Sequence, residues 1–272
     1  MKHCHFSILY NELGFLQQKL PFLYEHFDQI IFYDLSAFDG KYQFSTDGSH
    51  EYIKNYPDPE NKITLIELRN GIEFVQAQGK PSNITKMRMF PYASGFVNHD
   101  MDTFWCTDMD EFFTEALINE VEYIFTKFDV NSIQNRHYLF WNDPYTITCE
   151  HPDKPLYRLG LTRIARHKPG NVYGHCNIGD VYKPCVAASQ PIYHFTNVGK
   201  EKTFKKLFEY FDGTRKGYKE IWEKYSKLEL EPGEFVGYPY MHPNPDIRMG
   251  IMKFPGDIEE ILDYVDFNNL IL

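Results

Sequence analysis

The chain has 272 residues, enough for one large α/β domain or one domain with a small appendage. Hydrophobic residues make up 43%, mean hydropathy is −0.48 and net charge is −10, which excludes a disordered chain. No basic stripe interleaves with aromatics, so nucleic-acid binding is disfavoured as well.

The opening Met1-Lys2-His3-Cys4-His5 enters a predicted core strand at once and leaves no room for a signal peptide. No apolar run is long enough to span a bilayer. Five cysteines without CxxC spacing (Cys4, Cys106, Cys149, Cys176 and Cys185) fit reduced thiols, and the expected setting is cytoplasmic. The Phe- and Tyr-rich, Arg-poor composition suggests a bacterial or viral source.

His5 to Tyr10 reads as the first strand. Leu13, Leu16, Leu20, Leu23 and Phe27 then recur at helical spacing despite Pro21. Gln29 to Tyr33 is a second strand ending at Asp34, and Ser36-Ala37-Phe38-Asp39-Gly40 is turn chemistry. A less regular stretch leads to a strand at Ile63 to Leu68, a helix at about Ser82 to Val97, and a strand at Thr103 to Thr107. This β-α-β-turn-β-α-β order predicts a parallel sheet with right-handed crossovers. Beyond it, Leu117, Val121, Ile124 and Phe128 form an amphipathic stripe on a helix starting near Glu115. Ser132 to Trp141 is a predicted strand, followed by a loop at Asn142-Asp143-Pro144-Tyr145. Short strands are expected at Tyr157 to Ile164 and Pro191 to Phe195, and a helical stripe at Phe204, Leu207, Phe208 and Phe211.

The most informative feature is Asp108-Met109-Asp110-Glu111, directly after the strand Thr103 to Thr107. Open α/β sheets bind ligands at the carboxyl ends of their strands. A helix cap explains one carboxylate, but three in four positions repel one another unless a cation sits among them. Two hard carboxylates there suit Mn²⁺ or Mg²⁺ with positions left for water and phosphate, the chemistry of a metal-bridged nucleotide diphosphate. An EF-hand is excluded, since Phe113 stands at its glycine position and Asn119 at its bidentate Glu.

Asp34 ends its own strand at the same expected edge, where an acid accepts hydrogen bonds from a base or ribose, and Ser36 and Asp39 read equally well as turn residues. Asn11 and Glu12 complete a row of polar strand ends. His194, after the apolar Pro191-Ile192-Tyr193, is a candidate third metal ligand, with a core histidine as the plainer alternative and His175 as a rival. Lys200, Lys202, Lys205 and Lys206 either neutralise a leaving diphosphate or form a solvated helix face.

Together, Asn11-Glu12, Asp34 with Ser36 to Gly40, and Asp108-Met109-Asp110-Glu111-Phe112 resemble the family-2-like glycosyltransferases of the GT-A fold, most closely the family-92-like Asp-x-Asp-Glu-Phe variant. The resemblance implies a single GT-A nucleotide-diphospho-sugar transferase domain over 1–272, with a mostly parallel central sheet flanked by helices. Residues 1–113 would form the nucleotide-sugar half and 114–272 the acceptor side. It further implies that Asn11, Glu12, Asp34 and Asp108 contact the nucleotide sugar, and that Lys86 or Arg88 and Lys200 serve its phosphates. Asp108, Asp110 and His194 would hold Mn²⁺ or Mg²⁺. Thr162-Arg163-Ile164-Ala165-Arg166 looks like the family's basic strand before its acceptor loop.

The implied reaction moves a sugar from a nucleotide sugar, UDP-linked, to a hydroxyl of a glycan or other acceptor. An inverting enzyme, the favoured stereochemistry, also needs a base, for which Asp143 is the candidate against an ordinary Asp-Pro turn. The alternatives are a HAD-like phosphatase with Asp108 as nucleophile and Asp110 as acid, and a catalytically silent sugar-binding module. The phosphatase motif normally opens its fold, whereas three strands precede this one.

Overall fold

The computed structural model describes residues 1–36, 43–68, 83–149, 157–167, 172–173, 178–179, 184–198, 228–232, 234–238, 249–256 and 261. The first elements in chain order are β1 (His3–Leu9), α1 (Leu13–His26), β2 (Gln29–Asp34), α2 (Ser49–Asn55), β3 (Ile63–Ile66), α3 (Asn83–Ala93) and β4 (Thr103–Cys106). Then come β5 (Glu111–Phe112), α4 (Glu115–Lys127), β6 (Ser132–Cys149), β7 (Tyr157–Arg166), β8 (Val172–Tyr173), β9 (Ile178–Gly179), β10 (Cys185–Ala187), β11 (Ile192–Val198), β12 (Phe235–Tyr238) and β13 (Met249–Lys253). The chain divides into two compact units. One comprises Met1–Met109, Phe113–Asn135 and Leu159–Gln190, and the other Asp110–Phe112, Arg136–Arg158 and Pro191–Leu272. The division falls inside the acidic motif.

In the first unit the strand order is β7-β4-β1-β2-β3. Pairings β1–β2, β1–β4 and β2–β3 are parallel, as the alternation of strands and helices predicts, and β7 closes the row antiparallel to β4. Side chains alternate across β1 with period two. Cys4 and Phe6 pack on one face with Met87, Phe90 and Phe104 in a buried apolar cluster. His3 and His5 lie on the other, edge-on to Phe27. Register sets Leu9 opposite Asp34 and Phe6 opposite Cys106, so β1, β2 and β4 end along one edge.

Two expectations are corrected here. The irregular stretch before β3 contains α2, whose seven residues are too few for a periodic stripe to register. Phe128, expected on the buried stripe of α4, follows the helix and is 49% exposed.

In the second unit, β6 pairs in parallel with β11 and antiparallel with β13, which also pairs β12, while β5 is antiparallel to β11. Phe140 stacks on Phe195 at 4.5 Å, with Tyr193 and Phe254 around them. The expected loop at Asn142 to Tyr145 is not a loop, because β6 runs unbroken to Cys149. Pro144 lies between the stretch of β6 that pairs with β11, up to Asn142, and the stretch that pairs with β13, from Thr146. The sequence stripe at Phe204 to Phe211 lies outside the described residues.

Buried histidines make the first unit acid-sensitive. Burial, helped by the charge of Lys19, holds the His5 imidazole well below its usual pKa. Burial likewise lowers His3, against a hydrogen bond to Glu122, and lowers His167. In the unfolded chain these groups titrate near 6.5, so below that value the unfolded state binds more protons. Their stability contribution is therefore present above about pH 6.5 and is lost as pH falls towards the folded values. Urea midpoints are expected to drop between about pH 7.5 and about pH 5.5, and less steeply in His5→Gln. Identical pH slopes in both proteins would contradict this.

Candidate functional site

The acidic motif and the strand carrying His194 meet in the second unit through β5 and β11. His194 lies directly opposite Glu111 in the antiparallel pair, which places both side chains on one face. On its other side His194 is in register with Leu139, and His137, two residues earlier on β6, shares that face. Donor atoms of Glu111, His137 and His194 all lie within 4.8 Å of one another. The His194 Nδ1 is 3.9 Å from Glu111 Oε1, and its Nε2 is 3.4 Å from Asp110 Oδ1. A register shift in the β6–β11 ladder after His194 accompanies a hydrogen bond from Phe195 N to the Asp110 carbonyl at 2.8 Å. This bond ties the motif's backbone to the histidine strand, the kind of local re-aiming that bulges provide near functional groups.

The environment is dry. Glu111 and His137 are fully buried and Asp110 is 4% exposed, whereas the sequence places these acids at an accessible edge. His194 Nδ1 is a buried nitrogen with no hydrogen-bond partner among the described residues. Two buried carboxylates beside two imidazoles are a set that a shared cation stabilises. One ion with ligand bonds of about 2.1 Å needs its donors within about 4.2 Å, so shifts of under an ångström complete the set. The donor set therefore fits a divalent transition metal, and the two imidazoles favour Mn²⁺ or Zn²⁺ over Mg²⁺.

Of the three expected metal ligands, the structure brings Asp110 and His194 together. Asp108 instead meets guanidinium groups of the first unit. Arg88 Nη2 donates to both Asp108 oxygens, at 2.8 and 2.6 Å, and Arg163 Nη2 lies 3.4 Å from Oδ2. Burial works against charge on Arg88, and the Asp108 carboxylate nonetheless raises its pKa. Beneath them the buried Lys19 donates to Thr107 Oγ1 at 3.0 Å and to the Asp108 carbonyl at 2.7 Å, which holds the backbone as it leaves β4. Lys86 sits two residues before Arg88 on α3 and so points away from it, half-buried.

Asp34 is fully buried. It accepts from Ser45 N and Oγ and faces His50 Nδ1 at 2.7 Å. Burial raises its pKa and the Ser45 bonds oppose that. Ser45 Oγ also accepts from Asn11 N, Asn11 Oδ1 accepts from Thr46 N, and Glu12 N donates to Ser49 Oγ. Asn11 takes a left-handed backbone, φ 53°, which Asn tolerates better than most residues. These strand-end residues form one lattice holding segment 45–49, and Asp34 presents no exposed oxygen. Asp143 lies in β6, with Oδ1 accepting from Tyr145 N and Oδ2 from Thr146 Oγ1. His175, Asp39, Gly40, Lys200, Lys202, Lys205 and Lys206 lie outside the described residues.

Sequence reading missed His137, Lys19 and the meeting of Arg163 with Asp108. The one signal for His137 was its place in an otherwise alternating strand, which does not separate it from a core histidine.

No protein-family model and no curated protein matches this chain. Among solved structures it is similar to S. aureus TarS 1-349, at 13% identity and TM-score 0.34, over 52% of this chain and 36% of that one. The same segment in complex with UDP-GlcNAc gives 11% identity, TM-score 0.34 and coverage of 53% and 36%. A longer TarS structure gives 16%, 0.33, and 53% and 23%. The chain thus spans about a third or less of the structures it resembles.

Proposed function

We propose that this chain transfers a glycosyl group from a nucleotide sugar, UDP-linked, to a hydroxyl acceptor, with Mn²⁺ held by Glu111, His137, His194 and Asp110. The observation that carries this reading is the convergence of His137 and His194 on Asp110 and Glu111 of the strand-end motif Asp108-Met109-Asp110-Glu111. A bound divalent cation there supplies Lewis-acid stabilisation of charge on a departing diphosphate. The chain's own residues do the rest. Within the first unit, Arg88 offers guanidinium donors at the end of β4, and the Asn11–Asp34–Ser45 lattice fixes the strand-end segments. Asp143, held in β6 by Tyr145 N and Thr146, takes the acceptor hydroxyl proton on a carboxylate oxygen in an inverting reaction.

Incubation with radiolabelled UDP-sugars and Mn²⁺, against a chelated control, tests the proposal. Metal-dependent transfer or donor hydrolysis supports it. Phosphate release from simple esters supports a HAD-like phosphatase, and donor binding without turnover a silent sugar-binding module.

A further inference from the structure

Two buried guanidiniums of the first unit converge on one oxygen. Arg88 and Arg163 side chains are only 8% and 4% exposed, and their Nη2 atoms reach Asp108 Oδ2 at 2.6 and 3.4 Å. The carboxylate they hold is the accessible member of the trio, 29% exposed. Arginine forks fixed by burial match phosphate as well as carboxylate geometry. A carboxylate brings one negative charge to such a pocket, and a diphosphate brings more, with oxygens spaced to engage both forks. The Lys19 ammonium, donating to the Asp108 carbonyl, adds a third positive group to the same strand end.

We propose that Arg88 and Arg163 form a diphosphate-binding clamp whose resting occupant is the protein's own Asp108, displaced when ligand enters. Asp108 on this view is an internal competitor of the anion and not a ligand of the cation. The natural ligand, a nucleoside diphosphate, rests on the function proposed above. The clamp itself is tested without metal, so its failure is separable from failure of the metal centre.

Pyrophosphate and UDP binding are to be measured by calorimetry in chelator for wild type and Asp108→Asn. The variant keeps the side chain's shape but loses the competing charge, and it is expected to bind both about tenfold more tightly. Adding Arg163→Gln to Asp108→Asn should erase that gain. Asp108→Asn also removes one negative charge from between two guanidiniums, so pyrophosphate should raise its melting temperature by more than it raises that of wild type. This readout survives if the variant is less stable. Equal or weaker binding by Asp108→Asn, equal melting shifts, or an equal gain for sulfate would overturn the clamp.

Discussion

His194→Ala is expected to abolish high-affinity binding of Mn²⁺ and of Co²⁺ as its spectroscopic substitute, and with it any metal-dependent turnover. His194 is the hinge of the cluster, since its two ring nitrogens face Glu111 at 3.9 Å and Asp110 at 3.4 Å. Its removal takes away one imidazole and leaves two buried acids without the group that bridges them. Substituting mere outer partners of metal ligands lowers affinity by about 10–100-fold, so loss of a ligand should exceed about 100-fold. Glu111→Gln keeps shape and removes only charge, and it should show the same loss with little change in the metal-free fold. Calorimetric titration and Co²⁺ visible absorption read the binding, and urea midpoints of the metal-free proteins control for folding. Mg²⁺ should bind poorly even to wild type, because imidazole is a poor partner for it. Unchanged Co²⁺ spectra in both variants would remove the metal centre and the mechanism built on it.

Trp105→Ala should give the largest loss of stability. Trp105 is fully buried in the middle of β4, with ring centroids 5.1 Å from Phe113, 5.4 Å from Phe27 and 5.9 Å from His3. Its Nε1 donates to Thr103 Oγ1 at 3.0 Å, and His3 Nδ1 meets that same oxygen at 2.7 Å. Truncation opens a cavity among rigid rings that cannot collapse into it, and it removes a buried hydrogen bond. Large aromatic-to-alanine changes in cores cost about 3–5 kcal/mol. For a chain of this size that lowers the melting temperature by roughly 10 °C. Trp105→Phe fills most of the space and should lose much less. Because β4 delivers Asp108 to the sheet edge, Trp105→Ala should also weaken anion binding at temperatures where it remains folded. A melting temperature within a degree or two of wild type would show that this ring cluster does not hold the strand.

The first sheet was legible because its rules are local. Four short apolar runs, two of the three intervals between them helical stripes and one a turn with an irregular stretch, predict parallel strands, and β1 to β4 pair in that way. Boundaries moved by at most four residues, the end of α3 furthest, since helix and strand ends are set by competing hydrogen bonds and not by periodicity. The misreading at Asn142 to Tyr145 has a definite cause. An Asp-Pro step signals a turn unless tertiary pairing carries the strand through it, and here the partners of β6 on either side of Pro144 do so.

By itself the sequence determined that acids follow a strand at a sheet edge, and that His194 is carried on a separate apolar strand. Spacing along the chain expresses both. Which acid faces which partner was decided by tertiary structure alone. Strand register turned Glu111 and His194 onto the same face and brought in His137 from a third strand, while helix α3 and strand β7 delivered two arginines to Asp108. Asp108 and Asp110, close in sequence, meet different partners, whereas His137 and His194, far apart along the chain, share one cluster.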